Sequence, residues 1–116
     1  MWIPPISSHF SSTQPSEIVI VGIESHICVT QTALDALQAG HKVYVLADGV
    51  SSCNKEEIGM ALERLRAEGV RVTTSEGWVY ECMGDAGIEE FREVAGVVKE
   101  CSMGTREVLG ALGSKI

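Results

Sequence analysis

Blocks of apolar positions follow one another along the chain with spacings that predict strands and helices in turn. Ile18 to Val21 is a run of four β-branched residues without polar alternation, the pattern of a parallel strand buried on both faces. After Gly22 the spacing changes. From Cys28 onward Val29, Ala33, Ala36 and Leu37 recur on one side of a helix that runs to about Ala39 and stops at Gly40. His41 to Ala47 predicts a second strand, closed by Asp48 and Gly49. Asn54 suits the cap of a helix reaching about Glu68, with Ile58, Ala61, Leu62 and Leu65 on its inner face and Gly69 as its end. Val70 to Thr73 predicts a third strand, and a short helix is expected after Ser75. Ile88 to Lys99 reads as an amphipathic helix with Phe91, Val94, Val97 and Val98 inward.

The flanks are less patterned. Residues 1 to 16 carry Pro4, Pro5, Pro15 and five serines and read as an irregular entry segment. Residues 17 to 100 hold the α/β unit, and residues 101 to 116 form a tail with at best a weak helix. The βαβαβ order implies an α/β fold, a three-layer αβα sandwich around a parallel, Rossmann-like sheet with right-handed crossovers. Ligands of such sheets bind beyond the carboxyl ends of the strands. Gly22 to Cys28, Asp48 to Cys53 and Thr74 to Trp78 all fall at that edge.

Composition narrows the chemistry. The chain has 116 residues, room for one domain, and its 45% hydrophobic and 5% aromatic content suits an aliphatic α/β core. A net charge of −7 argues against nucleic acid as a partner, which would need clustered Lys and Arg. No apolar run reaches the roughly 18 residues of a membrane helix. Cys28, Cys53, Cys82 and Cys101 form no CxxC pair and no secretory leader pattern stands before them, so free thiols and a cytoplasmic location are expected. His9, His26 and His41 are scattered, without zinc-ligand spacing. No metal or cofactor is expected.

Cys28 is the candidate nucleophile. A cysteine at a helix N-terminus faces unpaired backbone amides and the positive end of the helix dipole, which favour a thiolate and can stabilise an oxyanion. The alternative is a small buried hydrophobe, the commonest role of free cysteine.

The blocks Gly22-Ile23-Glu24-Ser25-His26-Ile27-Cys28-Val29-Thr30-Gln31-Thr32-Ala33-Leu34-Asp35, Val43 to Ser52, Ala61 to Gly69 and Thr73 to Gly77 occur here in one order. Together they resemble the isochorismatase-like cysteine hydrolases, in particular the branch of isochorismatase domain-containing proteins. The resemblance implies that Cys28 is the nucleophile. It also implies a non-proline cis peptide at Ile23-Glu24, an oxyanion hole made by the backbone amides of Glu24 and Cys28, and hydrolysis of a small amide or related C–N substrate. Homo-oligomers are common in that family. His26, two residues before Cys28, is a candidate substrate contact. Glu24 is expected to contribute its backbone, with a side-chain role as general base the lesser reading. Asp48 reads as loop support, Ser51 and Ser52 as turn or cap groups with lining of the pocket the lesser reading, and Cys53, Cys82 and Cys101 as structural thiols. Glu76 and Trp78 are rim, interface or core positions.

The family's aspartate and lysine have no counterpart here. Met1 resembles the last residue of a Lys-x-x-Phe-Ser-Met block, so the resemblance covers the carboxy-terminal half and the amino-terminal strands are expected to be missing. A chain of this kind is expected to turn over poorly and to expose an apolar sheet edge. Two other classes compete with an impaired hydrolase: a catalytically dead fragment that assembles with a full-length homologue, and a thiol redox sensor using Cys28.

Overall fold

The structure is a computed structural model that describes residues 1–11 and 13–113. Its centre is strand β2 (Lys42–Ser51), flanked by β1 (Glu17–Ile23) and β3 (Arg71–Thr73) in the order β1-β2-β3, both pairings parallel. β2 is buried on both faces as a central parallel strand should be. Val43, Val45 and Ala47 point to one side and Tyr44 and Leu46 to the other, all at 7% exposure or less.

The helices are α1 (Pro4–Ser7), α2 (Thr30–Gln38), α3 (Lys55–Glu68), α4 (Ser75–Met83) and α5 (Phe91–Gly113), with a π-helical turn, Ser25–Val29, leading into α2. α2 brings Ala33 and Ala36, and α3 brings Ile58, Leu62 and Leu65, into one cluster with Val43, Val45 and Val70. The small alanines let α2 lie close to the sheet while the branched side chains of α3 fill the remaining space. The Asn54 side chain accepts the Glu56 N–H and caps α3. Thr74 caps α4 in the same way through the Gly77 N–H.

Four sequence expectations change. β1 is not buried on both faces: Val21 is 58% and Ile23 67% exposed, because among the described residues β1 is an edge strand with β2 on one side only. The helix after β1 begins earlier than Cys28, since the Glu24 carbonyl accepts the N–H groups of both Ile27 and Val29 and so winds the chain from Ser25. The helix near the carboxy terminus starts at Phe91 rather than Ile88 and continues unbroken to Gly113, absorbing the segment read as a weak tail. Its anchor is Leu112, which is buried in the core cluster, whereas Val97, expected inward, is 60% exposed. Finally, the entry segment packs on the domain: it contains α1, and Trp2 and Phe10 stack on each other and meet the His41 ring at a tilt, with ring centroids 5.1 to 5.6 Å apart. Residues 12 and 114 to 116, part of the expected entry and tail segments, lie outside the described residues.

Candidate functional site

Two glycines shape the end of β1. Gly22 has φ +128°, a conformation other residues reach only with strain, and it turns the chain toward Glu24. Opposite it the register jumps. Ile20 pairs with Val45 but Gly22 pairs with Val50, so residues 46 to 49 of β2 stand against the single residue Val21 of β1 in a bulge, while Leu46 keeps its pairing with Thr73 of β3. Gly49 is the close approach in that bulge, since a Cβ there would stand 2.7 Å from Cγ1 of Val21.

The bulged segment delivers Asp48 to Cys53 to the same edge as the turn after β1. The Ile23–Glu24 peptide is cis. Beyond it, Ser25 is buried and His26 half-buried, while Cys28 is exposed near the end of the π-helical turn, just before α2. The Thr30 hydroxyl donates to the Ser25 carbonyl at 2.7 Å, locking the turn onto the first residue of α2. The Ser25 hydroxyl is buried and has no hydrogen-bond partner among the described residues.

Three contacts join this turn to the end of β2. The Glu24 carboxylate accepts the Cys53 backbone N–H at 2.8 Å and its thiol at 3.3 Å. These bonds, the backbone one first, hold the Glu24 carboxyl below the usual carboxylate range, and the same carboxylate pushes the Cys53 thiol up. Ser52 Oγ accepts the Ser25 N–H at 3.1 Å and lies 2.9 Å from Nδ1 of His26. Asp48, for its part, accepts the Ser75 N–H at 2.8 Å and also the Ser75 hydroxyl, tying the loop to the start of α4.

The sequence-predicted residues therefore divide. Ile23, Glu24, His26 and Cys28 come together on one turn. Asp48 holds a neighbouring loop. Glu76 is exposed and Trp78 half-buried on α4. All four cysteines are exposed and free, so neither Cys28 nor the three others fill the core. The two residues that sequence reasoning missed are Ser52 and Cys53, whose partners lie 26 to 29 positions away along the chain. Their only signal is adjacency to the strand end.

Space at the site is split. A cavity of about 520 Å³ opens at the carboxyl ends of β1 and β2, walled by Ile23, Val50, Ile58, Val108 and Leu112, with Lys55 among its polar lining. Cys28 does not reach it. It lines a depression of about 240 Å³ with Met1, Ile6, Val21 and Thr32, and Ile23 belongs to both spaces. The depression lies along the unpaired edge of β1. Among the described residues no three His, Cys, Asp or Glu side chains stand where they could share a metal ion, and no helix is long and apolar enough to cross a membrane.

A parallel sheet flanked by helices defines the α/β class of proteins. Within that class the chain belongs to the isochorismatase family: residues 7–77 match the isochorismatase domain. It is 37% identical over 102 residues to the secreted isochorismatase effector Isc1 of Phytophthora sojae, covering 86% of this chain and 49% of that one. Isochorismatase domain-containing protein 2 of Xenopus laevis is 42% identical over 83 residues, 72% of this chain and 40% of the relative. Among solved structures, the MAR1 ribonuclease of Caenorhabditis elegans superposes with a TM-score of 0.76 at 33% identity, covering 84% of this chain and 50% of that one. The chain thus spans about half the length of these relatives or somewhat less.

Proposed function

We propose that this chain carries the nucleophile-bearing, carboxy-terminal part of an isochorismatase-like cysteine hydrolase that acts on a small amide or related C–N substrate. The observation that carries the reading is the placement of Cys28: an exposed thiol on the turn between the carboxyl end of β1 and the start of α2. In the reaction, Cys28 Sγ bonds to the substrate carbonyl carbon and the carbonyl oxygen takes the negative charge, facing the backbone amides of Glu24 and Cys28. The C–N bond then breaks, the amine leaves with a proton, and water cleaves the thioester to release the acid and restore the thiol.

Catalysis by this chain alone is slow in this reading. The aspartate and lysine that would take the thiol proton and orient the thiolate have no counterpart in the sequence, and loss of such partners costs several orders of magnitude. Glu24 does not substitute for them, because its carboxylate is engaged by Cys53. The net charge of −7 favours a neutral small molecule over a polyanion as substrate. A cytoplasmic, homo-oligomeric state accompanies this proposal. The test is hydrolysis of a panel of small amides, including nicotinamide-like ones, by the wild-type chain and by Cys28→Ala. Negligible steady-state turnover is expected of both, with at most a single acylation at Cys28 in the wild type, and hydrolysis indifferent to Cys28→Ala overturns the proposal.

A further inference from the structure

We infer that Ser52 is a positioning residue that fixes neutral His26 as its Nε2–H tautomer and so makes the ring a hydrogen-bond donor toward an acceptor oxygen of the substrate. The protons at one buried hydroxyl decide it. Ser52 is only 8% exposed. Its oxygen already accepts the Ser25 N–H at 3.1 Å, and Nδ1 of His26 stands 2.9 Å away. If Nδ1 carried the ring proton, Ser52 Oγ would accept two N–H groups, and its own proton would be left without an acceptor among the described residues. A buried donor without a partner is costly. If Nδ1 is bare, every group is satisfied: Ser25 N–H donates to Oγ, and Oγ–H donates to Nδ1. The ring proton then resides on Nε2, which makes no hydrogen bond among the described residues.

His26 is half-buried, two residues before the exposed Cys28 on the same turn. A fixed N–H donor there suits a carbonyl, carboxamide or carboxylate oxygen and disfavours a group that offers only donors, although His26 is not among the residues that wall either space at the site. One hydroxyl thus does two jobs. It seats the backbone of the nucleophile turn through Ser25, and it decides which face of the His26 ring can bind. The part of the inference that concerns substrate rests on the proposed hydrolase; the tautomer does not.

The tautomer is read on the full 116-residue chain labelled with ¹⁵N-histidine, by two-bond ¹H–¹⁵N correlation of the ring nitrogens, with His26→Gln used to assign the signal. His41 serves as an internal reference, because its Nδ1 accepts the Ser16 N–H at 3.0 Å and it too must be Nε2–H. The expected wild-type pattern for His26 is Nε2–H, lost to a tautomer mixture in Ser52→Ala and kept in Ser52→Thr. An Nδ1–H pattern in the wild type, or an unchanged pattern in Ser52→Ala, overturns the inference. Should Ser52→Ala not fold, the wild-type and Ser52→Thr spectra still decide it. In parallel, acylation of Cys28 by an activated ester is expected to slow about tenfold in Ser52→Ala, the scale of one hydrogen bond, and to recover in Ser52→Thr. Absence of Cys28 acylation in every variant would count against the hydrolase reading, while the spectra would still decide the role of Ser52.

Discussion

Glu24 and Cys53 are joined twice: one carboxylate oxygen accepts the Cys53 backbone N–H at 2.8 Å and the other accepts its thiol at 3.3 Å. The pair clamps the turn after β1 to the end of β2, and it couples the ionisation of two side chains 29 positions apart.

The first prediction concerns acid stability. The folded state holds Glu24 ionised below the value of 4.5 usual for a glutamate, chiefly through the Cys53 backbone bond. A depressed carboxyl favours the folded state above the unfolded value, and that contribution disappears as pH falls through the folded value. The unfolding midpoint of the wild type is therefore expected to drop on acidification below about pH 4.5, and Glu24→Gln to flatten that slope. Thermal melts across pH 3 to 7 check it; parallel slopes for both proteins would refute the coupling.

The same bond protects a thiol. Because Glu24 pushes the Cys53 thiol up, deprotonation of Cys53 is held back in the folded protein. Glu24→Gln should accelerate iodoacetamide labelling of Cys53 near pH 8, because the thiolate then forms without the Glu24 carboxylate beside it. Peptide mapping by mass spectrometry reads the rate, and an unchanged Cys53 rate would contradict the hydrogen bond.

Gly49 and Val21 form a second tight relationship. A Cβ at position 49 would approach Cγ1 of Val21 to 2.7 Å and Cβ of Val21 to 3.3 Å. Overpacking of this kind costs about 1 to 3 kcal/mol. Gly49→Ala should destabilise the protein by that amount in urea unfolding, and adding Val21→Ala should restore most of it. Simple additivity of the two changes would mean that the close approach is not the cause.

Asp48 is a prop between loops. Removing its carboxylate leaves the Ser75 N–H and hydroxyl without their acceptor. Asp48→Ala is expected to cost about 1.5 to 3 kcal/mol, the range for hydrogen bonds to a charged group, and Asp48→Asn distinctly less. Chemical denaturation of the two variants compares them directly.

Edge exposure sets association. Ile18 to Ile23 carries no charge and no proline, and two of its apolar side chains are more than half exposed on a strand that, among the described residues, pairs on one side only. Such an edge invites pairing with another chain. The wild type is expected to exceed 12.5 kDa in light scattering at high concentration, and Val21→Lys to shift it toward that monomer mass. A wild-type monomer at all concentrations would remove the edge as an association site.

What the sequence made legible follows from the range of each interaction. The apolar run Ile18 to Val21, the Asn54 cap and the inner face of α3 are local patterns, and the structure places them as strand, cap and core. The edge position of β1 depends on what pairs with it, which no local pattern encodes. α5 was underestimated because Gly104 and Gly110 weaken the helical signal beyond Lys99, while its anchor at Leu112 is a tertiary contact. At the site, the turn residues Ile23 to Cys28 were legible as one block. Ser52 reads as a turn or cap group with pocket lining the lesser alternative, and Cys53 as a structural thiol, since the groups that define them, Ser25, His26 and Glu24, sit on another strand's turn.

Attack of Cys28 on a carbonyl is the step proposed above. It is tested most directly by incubating the full chain with an activated acyl ester, quenching in acid and locating the acyl group by peptide mass spectrometry. A stoichiometric adduct on Cys28 that forms faster than it is released and is absent in Cys28→Ala is expected. An adduct confined to Cys53 or another side chain, or none at all in the wild type, would contradict it.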